Sequence, residues 1–406
     1  MQIQRLTIAL TFGLISLPLC GQLYAQEQDL QAYFNAPIEI ERGEEPTILP
    51  LDIRMNKLFI QAEIMGQSGE FIFDTGSPTI LTRAFAETLD LEIIGENIGR
   101  DANGNPVRMD VALVETLKLG ETIFKNVPVF IYDYANIDMG DCFFQGGVIG
   151  SEILPGSVWT LNTRDQILTL QAQSADREGA THPLHDFGYP HAPIVDYRIG
   201  DVNDKALFDT GSARAISLFS RVADTPSVHG DIQRGSVRLG EGYEGVSAGG
   251  RGNVTPLVRM TLEHFYLDDT DLGPLPAQTR SIPPSLIGYG LLDYYQITLD
   301  YPAGAMVLSA HDGPRADPPS PSFGVAYVGE EAQIVQLFSN SRAAETGLKL
   351  HDHVIAINDH PLEHDSFEAR CEAARWLAQD FDPNDETTLI VEREGTRETV
   401  LIPAQN

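Results

Sequence analysis

The chain has 406 residues, 42% hydrophobic and 21% charged, a composition that excludes a disordered or fibrous protein and allows two or three folded domains. Its 58 acidic residues against 27 basic ones give a net charge of −31. Such a field repels phosphate backbones and anionic lipid, which argues against nucleic-acid or membrane-surface binding.

At the N-terminus, Arg5 precedes an apolar run from Leu6 to Leu19 that Pro18 interrupts, too short for a membrane span. Leu23-Tyr24-Ala25 offers a cleavage site, so residues 1–25 read as a signal peptide and the mature chain is expected in the periplasm or outside the cell, with no membrane span. Lipidation at Cys20 is the alternative, but Leu17-Pro18-Leu19 lacks the small residue expected before a lipidated cysteine. Residues 26–47 form an N-terminal segment that reads as a tether, a pro-segment or a first strand.

Two stretches further on repeat one another. Leu58 to Ile64, a turn at Gly66 and Phe71-Ile72-Phe73 lead into Asp74-Thr75-Gly76-Ser77; Ile194 to Ile199, a turn at Gly200 and Ala206-Leu207-Phe208 lead into Asp209-Thr210-Gly211-Ser212. Each reads as a β-hairpin whose second strand ends at an aspartate. At nearly equal distance downstream lie Gly147 to Leu154 and Ser285 to Leu292, and strand pairs follow at Val158 to Leu170 and Gln296 to Leu308. Separated matches at equal spacing indicate a duplicated domain, with lobes over residues 48–173 and 182–310 joined by a polar linker.

A single Asp-Thr-Gly is a common turn, because Asp caps its own backbone and Gly tolerates unusual angles. Two copies in matched lobes point instead to chemistry. Two carboxylates brought face to face cannot both ionise, so they share a proton; the ionised one takes a proton from water while the other donates to a carbonyl. Asp74 and Asp209 are the candidate pair. Gly76 and Gly211 let backbone approach the carboxylates, Thr75 and Thr210 are placed to link the loops, and the Ser77 and Ser212 hydroxyls to hydrogen-bond carboxylate oxygens.

These residues resemble the pepsin and retropepsin superfamily, in which Asp-Thr-Gly occurs twice and an apolar-apolar-Gly segment packs behind each active loop. The resemblance implies a mainly β, bilobal fold of β-barrel lobes shaped as two fused retropepsin-sized units, and an aspartic endopeptidase acting on polypeptide. It also implies mobile hairpin flaps, for which Gly99 to Val111 and Leu239 to Asn253 are the candidates; neither carries an equivalent of the pepsin flap tyrosine. A chain carrying both lobes has no need to dimerise, so a monomer is expected.

After a Pro-rich linker from Asp312 to Ser322, the pattern changes. Short strands, a helix over Ser366 to Leu377 and a closing hairpin describe a small α+β domain at residues 322–403. Ala343 to Leu348 and Asp352 to Asn358 resemble the PDZ family, which implies that Phe323-Gly324-Val325 is a carboxylate-binding loop capturing a C-terminal peptide by strand addition. Cys371 lies on the apolar helix stripe and reads as a buried thiol; Cys142 falls in another domain, so no disulfide is expected. The histidines at 182, 185 and 191, among prolines and aspartates, read as solvent-facing. Asp101 to Asn105 resembles a calcium loop but has Pro106 where Gly is needed, so no metal site is expected; no phosphate loop occurs, and no cofactor is implied. The competing reading is a peptide-binding scaffold with silent lobes.

Overall fold

The computed structural model describes residues 30–134, 137–173, 178–186, 191–313, 315 and 320–404. The expected signal peptide and Cys20 lie outside the described residues, as do parts of both linkers.

The fold is mainly β. In the first lobe the hairpin of Lys57–Ile64 and Gln67–Phe73 carries apolar side chains on both faces. Leu58, Ile60, Ile64, Phe71 and Phe73 enter the main core, while Phe59 and Ile72 enter a second cluster with Ile80, Val107, Met109, Tyr134 and Val148. Burial on both faces explains why these strands read as apolar runs rather than clean alternations. The second lobe repeats the hairpin with Ile194–Ile199 and Val202–Asp209.

The downstream apolar-apolar-Gly segments are inserted between two strands of each lobe. Gly147–Ile149 runs parallel to Phe71–Phe73 and antiparallel to Ile80 and Leu81; Ser285–Gly288 does the same against Ala206–Asp209 and Ile216 and Ser217. Chain therefore crosses behind each aspartate loop. A Cβ on Gly150 would lie 2.2 Å from the Pro78 carbonyl carbon, and one on Gly288 2.3 Å from the Arg214 carbonyl oxygen, so only glycine fits at the crossing.

The strand pairs ending the lobes merge into one six-stranded sheet, in which Val158–Asn162 of the first lobe pairs with Tyr295–Asp300 of the second. This shared sheet fixes one lobe against the other. Glu39–Glu41 and Thr47–Pro50 also join first-lobe strands, so the part of the N-terminal segment around them serves as sheet edge.

Phe323–Ile402 folds as strands around the helix Phe367–Gln379, which Ser366 caps by accepting from the Ala369 amide. This unit has its own core, including Phe323, Ile334, Val354, Leu389 and Val391. It is not independent of the lobes: Glu331–Phe338 pairs with second-lobe strand Arg238–Gly242, Gly240 opposite Phe338 and Gly242 opposite Gln336.

The cysteine expectation is overturned. Cys142 and Cys371 form a disulfide with Cα atoms 5.4 Å apart, within the range such a bond spans. The sequence places them in different units, but the first-lobe turn Gly140–Phe143 packs on the C-terminal helix and brings the sulfurs together. Two histidines also depart from expectation. His182 is buried and shares a hydrogen bond with Asp268 (2.9 Å), and His191 is buried with its Nδ1 2.8 Å from the Ser151 hydroxyl; both are packed against the interlobe region rather than solvent-facing. Among the described residues, no helix is long and apolar enough to cross a membrane.

Candidate active site

Strands Gln67–Phe73 and Val202–Asp209 end at one place, the junction of the lobes, and the Asp74 and Asp209 carboxyls come within hydrogen-bonding reach of each other. The threonines hold them there by a reciprocal clasp. Thr75 donates its hydroxyl to the Phe208 carbonyl (2.7 Å) and accepts from the Thr210 amide (3.1 Å); Thr210 donates to the Phe73 carbonyl (2.8 Å) and accepts from the Thr75 amide (3.0 Å). Both hydroxyls are buried, so these four bonds are not in competition with water, and they lock the loops in register.

The glycines make the close approach possible. A Cβ on Gly76 would lie 2.4 Å from Asp209 Cγ, and one on Gly211 2.1 Å from Asp74 Oδ2. Each glycine thus packs against the aspartate of the opposite lobe. The carboxylates are also held from within their own loops: the Gly76 amide donates to Asp74 (2.9 Å) and the Ser212 amide to Asp209 (3.1 Å).

The serine hydroxyls do not do what the sequence led us to expect. Ser77 donates to the Pro78 carbonyl (2.8 Å) and Ser212 pairs with Ser217 (3.3 Å). Backbone amides already supply donors to the carboxylates, and the hydroxyls turn toward their own loops.

Burial, followed by the negative charge of Asp209, raises the Asp74 carboxyl well above the ordinary carboxylate range; the Lys57 ammonium and the Gly76 amide oppose the rise. Two carboxyls in contact, one of them raised in this way, can supply an acid and a base at one site. Lys57 is a residue that sequence reasoning missed. It begins strand Lys57–Ile64 and reaches across to donate to the Gly211 carbonyl in the opposite loop. The register of the hairpins puts Ala192 at the matching place in the second lobe, so only one half of the site carries this cation.

Behind the first loop, Glu152 accepts from the Thr79 amide (2.9 Å) and hydroxyl (3.1 Å), and burial raises its carboxyl to about 7. Tyr134 is buried close enough for the Asp74 charge to act on it, and burial followed by that charge lifts its phenol above the ordinary range.

Both segments expected as flaps are hairpins. The first, Ile93–Arg100 with Pro106–Leu119, ends in a turn whose Asp101 accepts from the Asn103 and Asn105 amides (3.0 and 2.7 Å). The same aspartate that made this turn resemble a calcium loop therefore binds its own backbone. The second, Arg238–Gly242 with Thr255–Leu262, ends in the small tip of Val246–Ser247 and Gly250–Arg251.

Residues 60–153 match the family model of the aspartyl proteases. The matched stretch holds Asp74-Thr75-Gly76-Ser77, the first hairpin and the crossing strand Gly147–Ile149, and it supports aspartic-type peptidase chemistry. No curated protein matches the chain.

In the C-terminal unit, Phe323 is buried in the core, while Gly324 and Val325 are half-buried in a strand that pairs with Glu331–Phe338 through a register shift between them. These three residues begin the strand Phe323–Val328.

Proposed function

We propose that the protein is an aspartic endopeptidase of the periplasm or cell exterior in which Asp74 and Asp209 are the catalytic pair. The observation that carries this reading is the contact of the two carboxyls inside a reciprocal threonine clasp, with Gly76 and Gly211 packed against the opposite aspartate.

In the reaction, the ionised member of the pair removes a proton from a water molecule, which attacks the scissile carbonyl carbon. The protonated member donates to the carbonyl oxygen, giving a tetrahedral diol. Collapse of the diol breaks the C–N bond as the leaving nitrogen takes a proton from the pair and one diol hydroxyl returns its proton to it. One proton on the pair serves at every stage, and no covalent intermediate forms. Lys57 holds the Gly211 carbonyl and so fixes the loop that presses on Asp74. The flaps cover an extended polypeptide lying between the lobes. The C-terminal unit is a PDZ-type module whose Phe323-Gly324-Val325 strand end receives a C-terminal peptide, and the active form is a monomer.

The test is hydrolysis of a denatured protein by the purified mature chain from acidic to neutral pH, with and without a peptide bearing a hydroxymethylene group in place of the scissile amide. Cleavage that this isostere blocks is the expected result, because its hydroxyl mimics the diol between the carboxyls. Binding of C-terminal peptides with no cleavage of any substrate would make the protein a silent scaffold instead.

A further inference from the structure

A ring of contacts runs through three parts of the chain. The flap tips meet each other: the Gly249 amide donates to Asp101 (2.8 Å), Asn103 to the Gly250 carbonyl (3.0 Å) and Asn105 to the Arg251 carbonyl (3.0 Å), while Arg280 donates to the Ala102 carbonyl (3.3 Å). The second flap is then tied to the C-terminal unit, through the strand pairing of Gly240–Gly242 with Gln336–Phe338 and the donation of Arg251 to the Tyr327 carbonyl. The C-terminal unit is tied back to the first lobe. Asp138 accepts from the Gly329 amide (2.9 Å) and from Arg251 (3.1 Å), Arg375 donates to the Cys142 carbonyl (3.0 Å), and Met139 and Cys142 are buried in the C-terminal core.

One link in this ring is covalent, the bond between Cys142 and Cys371. It fastens the first-lobe segment that carries Asp138 to the same helix face from which Arg375 reaches. Arg251 belongs to the second flap tip and touches both this segment and the C-terminal strand, so freeing the segment removes one of the contacts that hold the flap.

We propose that the Cys142–Cys371 disulfide is a redox latch: while it is intact the C-terminal unit holds both flaps shut, and its reduction by a protein dithiol releases the segment around Asp138 and opens the cleft to an extended polypeptide. A thiolate of the dithiol attacks one sulfur of the bond, forming a mixed disulfide and expelling the other as a thiolate, which takes up a proton. The second thiol of the partner then displaces the first cysteine, which is protonated in turn. Two electrons and two protons pass to the protein, and the partner leaves as a disulfide. A cavity of about 760 Å³ lined by Cys142, Phe143, Arg54, Arg375 and Gln379 lies beside the bond, whose two cysteines are buried, so the partner reaches the sulfurs only as the contact between the Gly140–Phe143 turn and the C-terminal helix loosens. The Arg375 guanidinium at its edge favours a departing thiolate.

The latch governs access to the site proposed above and rests on that reading only for its effect on hydrolysis. The experiment is therefore amide hydrogen exchange on the full mature chain, oxidised and after treatment with dithiothreitol, with thiols counted in each sample. Exchange at residues 101–105 and 244–251 is expected to rise about tenfold or more on reduction, while exchange in the interlobe sheet stays unchanged. A Cys142→Ser, Cys371→Ser double variant is expected to show the fast rates with or without dithiothreitol, and the reduced wild type serves the same purpose where that variant does not fold. Unchanged flap exchange with two free thiols counted would overturn the proposal and leave the bond a plain staple, as would thiols already free in the protein purified without reductant. Faster exchange without hydrolysis in either redox state would sustain the latch and defeat the peptidase reading.

Discussion

Asp74→Asn and Asp209→Asn are each expected to lower kcat/KM on the order of 10³-fold or more, the scale on which a positioned acid or base contributes to catalysis. Asparagine keeps the shape of the side chain and the acceptor that the Gly76 or Ser212 amide needs, so the loops stay in place. What it removes is the ionisable group that takes up and gives back a proton. The double variant is expected to be no worse than either single one, because the pair acts as a unit. Stability provides an independent check on Asp74. Its folded pKa lies above the unfolded value of about 3.9, so the folded state binds more protons and wild-type stability falls as pH rises from that value through the folded one. Asp74→Asn lacks that decline and is expected to match or exceed the wild type in thermal midpoint at neutral pH. A loss of activity accompanied by a large fall in the midpoint would mean that the aspartate is a structural turn.

The second large effect is steric. Gly211→Ala puts a methyl group 2.1 Å from Asp74 Oδ2, and Gly76→Ala puts one 2.4 Å from Asp209 Cγ. Neither neighbour is a flexible surface chain free to move aside; each is a carboxyl whose position the proposed reaction requires. Overpacking at such a point costs about 1–3 kcal/mol, and a displacement approaching an ångström costs about 10²-fold in rate. Both variants are thus expected to lose about 10²-fold or more in kcat/KM while remaining folded. Gly230→Ala, which meets nothing within 4 Å, is the control and is expected to retain full activity. Equal activity of Gly211→Ala and the control would show that the loops do not press against one another.

The parts of this arrangement that repeat in the sequence were the parts that could be read from it. Two hairpins ending in Asp-Thr-Gly-Ser, each answered by an apolar-apolar-Gly segment, encode the lobes, because the crossing of Gly150 and Gly288 behind the loops needs glycine at a fixed distance from each aspartate. The threonine clasp was legible for the same reason. Contacts made once, between distant segments, left no such trace. Lys57 looks like any strand-end lysine, and its partner is a backbone carbonyl in the other lobe. The Cys142–Cys371 bond joins segments 229 positions apart, and nothing in the sequence near either cysteine announces that the turn at Gly140 packs on the C-terminal helix. Burial of His182 and His191 depends likewise on the interlobe packing that surrounds them. The serine hydroxyls were misassigned because composition shows a donor near a carboxylate but not that backbone amides already fill that role.

The measurement that bears most directly on the shared proton is the pH dependence of kcat/KM for the wild type. Hydrolysis needs one proton on the pair, so the rate falls at low pH, where both carboxyls are protonated and no base remains, and again at high pH, where both are ionised and no acid remains. Since burial and the second charge raise one ionisation of the pair, the predicted profile is a bell whose alkaline limb lies well above the ordinary carboxylate pKa of about 4. A profile with a single limb near that value, or a rate still rising where both carboxyls are ionised, would contradict a proton held between Asp74 and Asp209.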